Sequence, residues 1–147
     1  MNRSKKLTFL APKDMTESKS KGAIFIDMGI SAGFPSPVDD FKETRISLDE
    51  ELIKNKEATF FAKVSGQSMI GAGLDDNDLL VIDRSIPPTN NKIAVCFLDG
   101  EFTVKRLRVT KDEIWLQPEN PDYPVIKITE ENNFIIWGIV TSVIKKV

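Results

Sequence analysis

From residue 58 onward the chain is divided into short runs of β-branched and aromatic residues, and this pattern limits the possible fold more than any other feature. The runs are bounded by Gly, Pro, Asn or Asp, and they predict strands over 58–64, 78–83, 92–98, 101–109, 113–117, 125–128 and 134–144. Asp99-Gly100, between two of the runs, is a dipeptide preferred in two-residue hairpin turns. The pattern therefore predicts a mainly β domain of several short antiparallel strands.

One or two short helices are expected beside these strands. The sequence Ser-Leu-Asp-Glu at 47–50 fits a capping box, in which the serine side chain accepts from the third helical amide and the glutamate reaches back. We predict a helix from about residue 48 to residue 54. Its inward-facing side chains would be Leu48, Leu52 and Ile53.

The chemistry open to the chain is restricted because its 147 residues include no histidine and one cysteine. Without histidine there is no Ser-His-Asp triad, no Cys-His pair and no imidazole metal ligand. A single cysteine cannot form an internal disulfide or a zinc knuckle. We therefore expect no metal and no cofactor, and any catalysis must use Ser, Thr, Lys, Tyr or carboxylates.

Charge and hydropathy also limit the possible partners. The net charge of −2 lacks the basic excess typical of proteins that bind nucleic acid through phosphates, so we expect no direct sequence-specific DNA binding. No apolar run approaches the roughly 18 residues of a membrane span, and residues 1–10 lack the apolar centre of a signal peptide. We therefore expect a cytoplasmic protein without membrane contact.

The first 32 residues differ from the remainder in charge. They contain six Lys or Arg and three Asp or Glu, a net charge of +3, which leaves −5 for residues 33–147. Residues 12–22 are polar and without periodicity, as in a flexible linker. Residues 28–37 are rich in Gly and Pro, which predicts an extended and accessible segment rather than regular structure. On composition alone, the first 32 residues form a tether.

Two polar features have simple structural interpretations. The cluster Asp75-Asp76-Asn77-Asp78 does not fit a calcium loop, because Leu79 or Leu80 falls where a ligand is needed, so a solvated turn is predicted. Cys96 lies within an apolar run and is predicted to be a small core residue.

The segment 64–70 is a candidate catalytic loop. Gly66 permits a tight turn directly after a predicted strand, so Ser68 would project from the strand end with exposed backbone amides beside it. Such amides can form an oxyanion hole. Serine needs a base, and without histidine the candidate at neutral pH is a desolvated lysine.

Lys105 is the candidate base. Strand alternation over 101–109 places it on one face with Thr103, Leu107 and Val109. The opposite face also mixes polar and apolar residues, and a lysine that extends its amine to solvent is commoner than a catalytic one. The pattern alone leaves both interpretations open.

Three segments together resemble a known family. They are GFPSP at 33–37, SGQSM at 65–69 and DGEFTVK at 99–105. Their order and spacing resemble the LexA-type self-cleaving serine peptidases, and in particular their UmuD-like members, from about residue 32 to the C-terminus. The implied fold is the LexA/UmuD-like C-terminal peptidase domain, preceded by a flexible N-terminal arm.

The resemblance implies a role for each candidate residue. Ser68 would be the nucleophile and Lys105 its general base, with the backbone amides of Gln67 and Ser68 as the oxyanion hole. The cleaved bond would be Ala32–Gly33 of the chain itself. Residues 1–32 would then be an arm removed on cleavage, and 33–147 the peptidase and dimerisation domain.

The partners implied by the resemblance are a second copy of the chain, a RecA filament on single-stranded DNA that stimulates cleavage, and a UmuC-like translesion DNA polymerase. The processed homodimer would serve that polymerase in the SOS response. Two other functions remain: a noncatalytic binding module with the same fold, and a LexA-like repressor fragment that acts through DNA. The second is disfavoured because 32 residues are too few for a DNA-binding domain.

Overall fold

The computed structural model describes residues 8–10, 22–27, 30, 32–33 and 42–147. These residues belong to two units, one containing 55–147 together with the segment at 8–10, and the other lying within 14–54. Across the described residues, no helix combines the length and apolar character that a membrane crossing requires.

The larger unit is built on one antiparallel sheet, which confirms the mainly β prediction. Its strands are β1 (Thr8–Leu10), β4 (Thr59–Lys63), β5 (Leu79–Asp83), β6 (Ile93–Leu98), β7 (Glu101–Val109), β8 (Ile114–Gln117), β9 (Ile126–Lys127) and β10 (Phe134–Ile144). The order across the sheet is β1-β4-β5-β10-β6-β7-β8-β9. Every strand predicted from residue 58 onward is present within one residue at either end.

The hairpin turn between β6 and β7 is also as predicted. Asp99 and Gly100 both have positive φ, 47° and 90°, as a type I′ turn requires. The Asp99 carboxylate accepts hydrogen bonds from the Asn133 backbone amide at 2.9 Å and from the Asn132 side chain at 2.7 Å. The turn therefore also fixes the start of β10.

The smaller unit contains a hairpin that the sequence analysis did not predict. Its strands β2 (Ala23–Asp27) and β3 (Lys42–Ile46) pair in register from Ala23↔Ile46 to Asp27↔Lys42. The arm is therefore not a simple unpaired tether at this point, because β2 is hydrogen-bonded along its length. The predicted linker at 12–22 and the proline-rich segment lie almost entirely outside the described residues.

The predicted helix is present as α1 (Leu48–Leu52), but its details differ from the prediction. The Ser47 side chain makes no capping hydrogen bond, so the capping box is wrong. Leu48 is 64% exposed, whereas Ile53 is buried. Ile53 has extended backbone angles just beyond the helix, so helical periodicity does not set the direction of its side chain.

Two apolar clusters form the core, on alternating sides of β6. Val95 belongs to one cluster with Leu80, Ile82 and Val104, whereas its neighbours Ala94 and Cys96 belong to the other. The second cluster also contains Leu107, Leu116 and Ile139. Since β6 and β7 are central and buried, a side chain in the middle of either strand lies in a largely dry environment.

Candidate active site

The loop after β4 presents Ser68. Two backbone hydrogen bonds close the loop base: the Val64 amide donates to the Asp78 carbonyl at 2.8 Å, and the Asn77 amide donates to the Val64 carbonyl at 2.8 Å. Gly66 has a φ of 101°, which a residue with a side chain adopts only with strain. Ser68 is half-buried, and Met69 after it is 2% exposed. The loop is thus fixed on both sides of the serine.

Lys105 lies in the middle of β7, opposite Ala94 of β6. Only 7% of Lys105 is exposed, so it does not extend its amine to bulk solvent. Its Nζ lies 3.0 Å from Ser68 Oγ. The structure therefore brings together the two side chains that the sequence analysis singled out, although they are 37 positions apart.

Two further oxygen atoms accept hydrogen bonds from this amine. Nζ donates to Thr103 Oγ1 at 2.7 Å and to the Val104 carbonyl at 3.2 Å. Burial favours the neutral amine, while the oxygen acceptors favour the ammonium. When the Lys105 amine is neutral, the Ser68 hydroxyl can donate a hydrogen bond to Nζ and can transfer its proton to Nζ through this hydrogen bond. Thr103 was placed on this face by strand alternation, but the sequence analysis gave it no role.

The backbone amides predicted for an oxyanion hole remain available. The N–H groups of Gln67 and Ser68 have no hydrogen-bond acceptor within the part of the chain that the structure describes. Both residues line a cleft of about 270 Å³, whose walls also include Lys105, Leu98, Phe102 and Tyr123. A carbonyl oxygen bound in this cleft could therefore accept from these amides.

The acidic turn that follows the loop precedes β5, as predicted, and its residues Asp75, Asp76 and Asn77 are exposed, but its last residue is buried. Asp78 is 6% exposed, and its carboxylate accepts from the Asp75 amide at 2.8 Å and from Lys145. These hydrogen bonds and the Lys145 charge outweigh desolvation and hold the pKa of Asp78 below its usual value, while both aspartates raise the pKa of Lys145.

The same turn supports the serine loop directly. The Asp76 carboxylate accepts from the Gly66 amide at 2.9 Å. Within the described ranges, no group of three or more His, Cys, Asp or Glu side chains is arranged to hold a metal ion. The turn is therefore a structural support for the candidate active site.

Cys96 is a core residue, as predicted, with no exposed surface. Burial raises the pKa of its thiol to about 12, although the positive charge of nearby Lys105 acts in the opposite direction. A thiol with this pKa is protonated at neutral pH, so Cys96 is not a nucleophile in the folded chain.

The predicted cleavage residues lie in the smaller unit. Ala32 and Gly33 are exposed, in the stretch that connects β2 to β3. Of the GFPSP motif, only Gly33 falls within the described residues. The sequence analysis did not identify Asn120, whose side-chain amide donates to the Gln67 carbonyl at 2.9 Å, because no local pattern marks an asparagine 53 positions away.

The sequence of the chain matches a known class of enzyme. The chain belongs to a family of serine peptidases: its residues 24–141 match the family described as Peptidase S24-like. It is similar to Protein MucA of Salmonella typhimurium, with 42% identity over 113 residues that make up 76% of this chain and 77% of that protein. Protein ImpA of Escherichia coli is 42% identical over 115 residues, 78% of each chain.

A more distant relative is the LexA repressor of Delftia acidovorans. It is 36% identical over 116 residues, which cover 79% of this chain but 51% of the repressor. Together these matches confirm the resemblance to the UmuD-like members of the LexA-type peptidases.

Proposed function

We propose that this chain is a UmuD-like serine endopeptidase that cleaves its own Ala32–Gly33 bond through a Ser68–Lys105 dyad. The observation that carries this proposal is the 3.0 Å contact between Lys105 Nζ and Ser68 Oγ inside a largely dry cleft. A serine next to a buried lysine has its base within hydrogen-bond reach. The exposure of Ala32 and Gly33 makes the bond accessible.

In the acylation step, the neutral amine of Lys105 takes the proton of Ser68 Oγ as this oxygen attacks the Ala32 carbonyl carbon. The amides of Gln67 and Ser68 stabilise the resulting oxyanion. When the intermediate collapses, the C–N bond breaks and the Lys105 ammonium returns the proton to the Gly33 nitrogen. Gly33 becomes a new N-terminus, and Ala32 remains as an ester on Ser68.

Deacylation reverses the roles. Lys105, neutral again, takes a proton from a water molecule as that water attacks the Ala32 ester. The Lys105 ammonium then returns a proton to Ser68 Oγ, and Ala32 leaves with a carboxylic acid that ionises in solution. Because the substrate is the Ala32–Gly33 bond of this protein itself, each chain is cut only once. Cleavage therefore acts as a switch.

We further propose that the processed chain works as a homodimer with a UmuC-like translesion polymerase, and that a RecA filament on single-stranded DNA stimulates cleavage in the SOS response. The similarity to Protein MucA and Protein ImpA, which extends over 77% and 78% of those proteins, supports this function. The chain spans about half of the matched LexA repressor (51%), and a repressor-related function is the alternative that DNA binding would reveal.

The dyad is tested by Ser68→Ala and Lys105→Ala. Because each removes a participant in bond breaking, we expect conversion to the Gly33–Val147 form to fall by at least about a thousandfold. Intact-mass analysis of full-length protein, incubated with and without activated RecA filament, measures the conversion. Ser65→Ala, in the same loop, and Lys92→Ala, on an exposed lysine, are matched controls that should process normally.

Three results would reject the proposal. Processing of either dyad variant at the parental rate would exclude the assigned residues. A parent chain that stays intact with activated filament would favour a noncatalytic binding module with the same fold, and specific duplex binding in a gel shift would favour a repressor-related function.

The proposed base also predicts a pH dependence. Lys105 acts only as a neutral amine, so unassisted cleavage should accelerate as pH rises from neutral into the alkaline range and level off once the amine is deprotonated. Time courses of intact mass across this range measure the rate. A rate independent of pH over the whole range would exclude a lysine base.

A further inference from the structure

The segment 118–121 holds the serine loop through two adjacent residues, which we call the Glu119–Asn120 clamp. The Glu119 amide donates to the Ser68 carbonyl at 2.8 Å, and the Glu119 carbonyl accepts from the Gly71 amide at 2.7 Å. The Asn120 side-chain amide donates to the Gln67 carbonyl at 2.9 Å. The clamp lies between Pro118 and Pro121, whose rings restrict φ at both sides of it.

The Asn120 contact orients a particular peptide plane, and it is the shorter of two hydrogen bonds to the Gln67 carbonyl, since the Ile70 amide donates to the same oxygen at 3.4 Å. In a trans peptide, the carbonyl of one residue and the N–H of the next point in opposite directions. A donor that holds the Gln67 carbonyl on the Asn120 side therefore directs the Ser68 N–H to the other side. Ser68 lines the cleft, and its N–H has no acceptor among the described residues.

Both ends of the Asn120 side chain are used. Its Oδ1 accepts from the Asp122 amide at 3.0 Å, while its Nδ2 donates to Gln67. This pairing sets the orientation of the side-chain amide, because one partner supplies an N–H and the other a carbonyl oxygen. Asn120 is only 9% exposed, so water competes little for either contact.

We propose that Asn120 is a positioning residue for self-cleavage, which orients the Gln67–Ser68 peptide so that the Ser68 N–H meets the oxyanion. The catalytic role that we assign to Asn120 rests on the proposed function, whereas the geometry of its contacts does not. Asn120 does not contact the reacting atoms. It acts through the peptide that it holds, and a preorganised donor avoids the cost of reorienting during the reaction.

Asn120→Asp replaces the donor by a carboxylate oxygen and adds a negative charge, while the carboxylate still accepts from the Asp122 amide. The matched control is Asn90→Asp, which adds the same charge while preserving the acceptor that Asn90 offers to the Val109 amide at 2.8 Å. Unassisted cleavage of the full-length variants is followed from neutral to alkaline pH. We expect Asn120→Asp to be slower by about tenfold or more, less than the 10²–10³ lost when an oxyanion donor itself is removed.

A positioning role has a specific signature. The plateau rate of Asn120→Asp should fall while the midpoint of its pH–rate profile stays where the parent has it, because Lys105 and Ser68 are unchanged. A rate within twofold of Asn90→Asp would overturn the proposal. A shifted midpoint at an unchanged plateau would also overturn it, because the carboxylate would then act on the base.

A second measurement does not depend on cleavage. In the Asn120→Asp protein, loss of the hydrogen bond should move the carbonyl ¹³C resonance of Gln67 upfield relative to the Asn90→Asp protein. An unmoved resonance would show that Asn120 does not hold this peptide. If the parent fails to cleave but the resonance moves, the proposed function is wrong and the positioning geometry stands.

Discussion

Lys105 places an amine in the interior of a β-sheet, where an unpaired charge would be strongly unfavourable. Three oxygen atoms meet it there, from Ser68, Thr103 and the Val104 carbonyl. Either protonation state therefore has hydrogen-bond partners. A base that gains and returns one proton needs hydrogen-bond partners in both states.

Asp78 is the residue whose charge matters most for the support of the serine loop. Its pKa in the folded chain lies below the ordinary value of 3.8, so its stabilising effect is present above about that pH and is lost as pH falls through the lower folded-state pKa. We expect Asp78→Asn to lower the Tm by a few degrees at neutral pH. Below the folded-state pKa, the Tm values of variant and parent should converge.

Thermal unfolding followed by circular dichroism across this pH range tests the expectation. Asp112→Asn, in an exposed turn, removes an equal charge and should leave the Tm almost unchanged. A Tm difference between Asp78→Asn and the parent that stayed constant down to strongly acidic pH would contradict an electrostatic origin.

At the scale of single residues, the sequence singled out Ser68 and Lys105, which the structure brings into contact, but it did not single out Asn120. The first two stand in short motifs that resemble a family, and residue chemistry left few other candidates. Asn120 and Asp76 act through hydrogen bonds to distant backbone atoms. Such contacts follow from how loops meet in the folded sheet, which periodicity does not describe.

The strands from residue 58 onward were predictable because they are β-branched or aromatic runs interrupted by turn residues. The β2–β3 hairpin was missed for two reasons. The sequence of β3, Lys-Glu-Thr-Arg-Ile, has one large apolar residue, and the connection between the strands is long. The side chains that the structure describes in the two strands, at 23–25 and 44–46, are largely exposed, including Ile24 and Phe25, so the apolar alternation that marks a core-facing strand is weak.

The short 3-10 helix Ile70–Ala72 allows the Glu119–Asn120 clamp to approach the serine loop closely. A Cβ added to Gly71 would lie 2.5 Å from the Glu119 carbonyl oxygen, which is too close for that hydrogen bond to survive. We expect Gly71→Ala to displace the clamp and slow self-cleavage by about tenfold or more, as for misplaced catalytic groups generally. Intact-mass time courses measure the rate.

Gly73→Ala, in the same turn, is the matched control for Gly71→Ala. Its added Cβ meets no atom within 4 Å, but its φ of 81° makes a side chain unfavourable. This variant should lose about 1 kcal/mol of stability while cleaving at nearly the parental rate. Equal cleavage rates for the two variants would show that the clamp does not control Ser68.

Across the whole molecule, the proposed cut separates strands from their partners. β1 and β2 precede the Ala32–Gly33 bond. The partner of β1, which is β4, and the partner of β2, which is β3, both follow it. In the intact chain, the connection keeps β2 near β3 at an effective concentration of about 1 mM. After the cut, no covalent connection holds β2 near β3.

We therefore expect the fragment of residues 1–32 to leave the Gly33–Val147 form on dilution. Gel filtration of processed protein, loaded at high and at submicromolar concentration, should show co-elution only at the higher one. Uncut Ser68→Ala protein is the control and should elute as one species at both concentrations. Co-elution of the fragment at both concentrations would mean that strand pairing is not the main attachment.

Because Cys96 is buried, chemical labelling of its thiol can report the unfolding of the protein. The strand that carries it lies between β10 and β7, and a thiol with a pKa of about 12 in a closed core reacts with added reagents only after the sheet opens. Since this is the single cysteine, every labelled molecule has passed through that opening. Mass spectrometry of labelling over time would count such openings in unmodified protein, including protein in a cell extract.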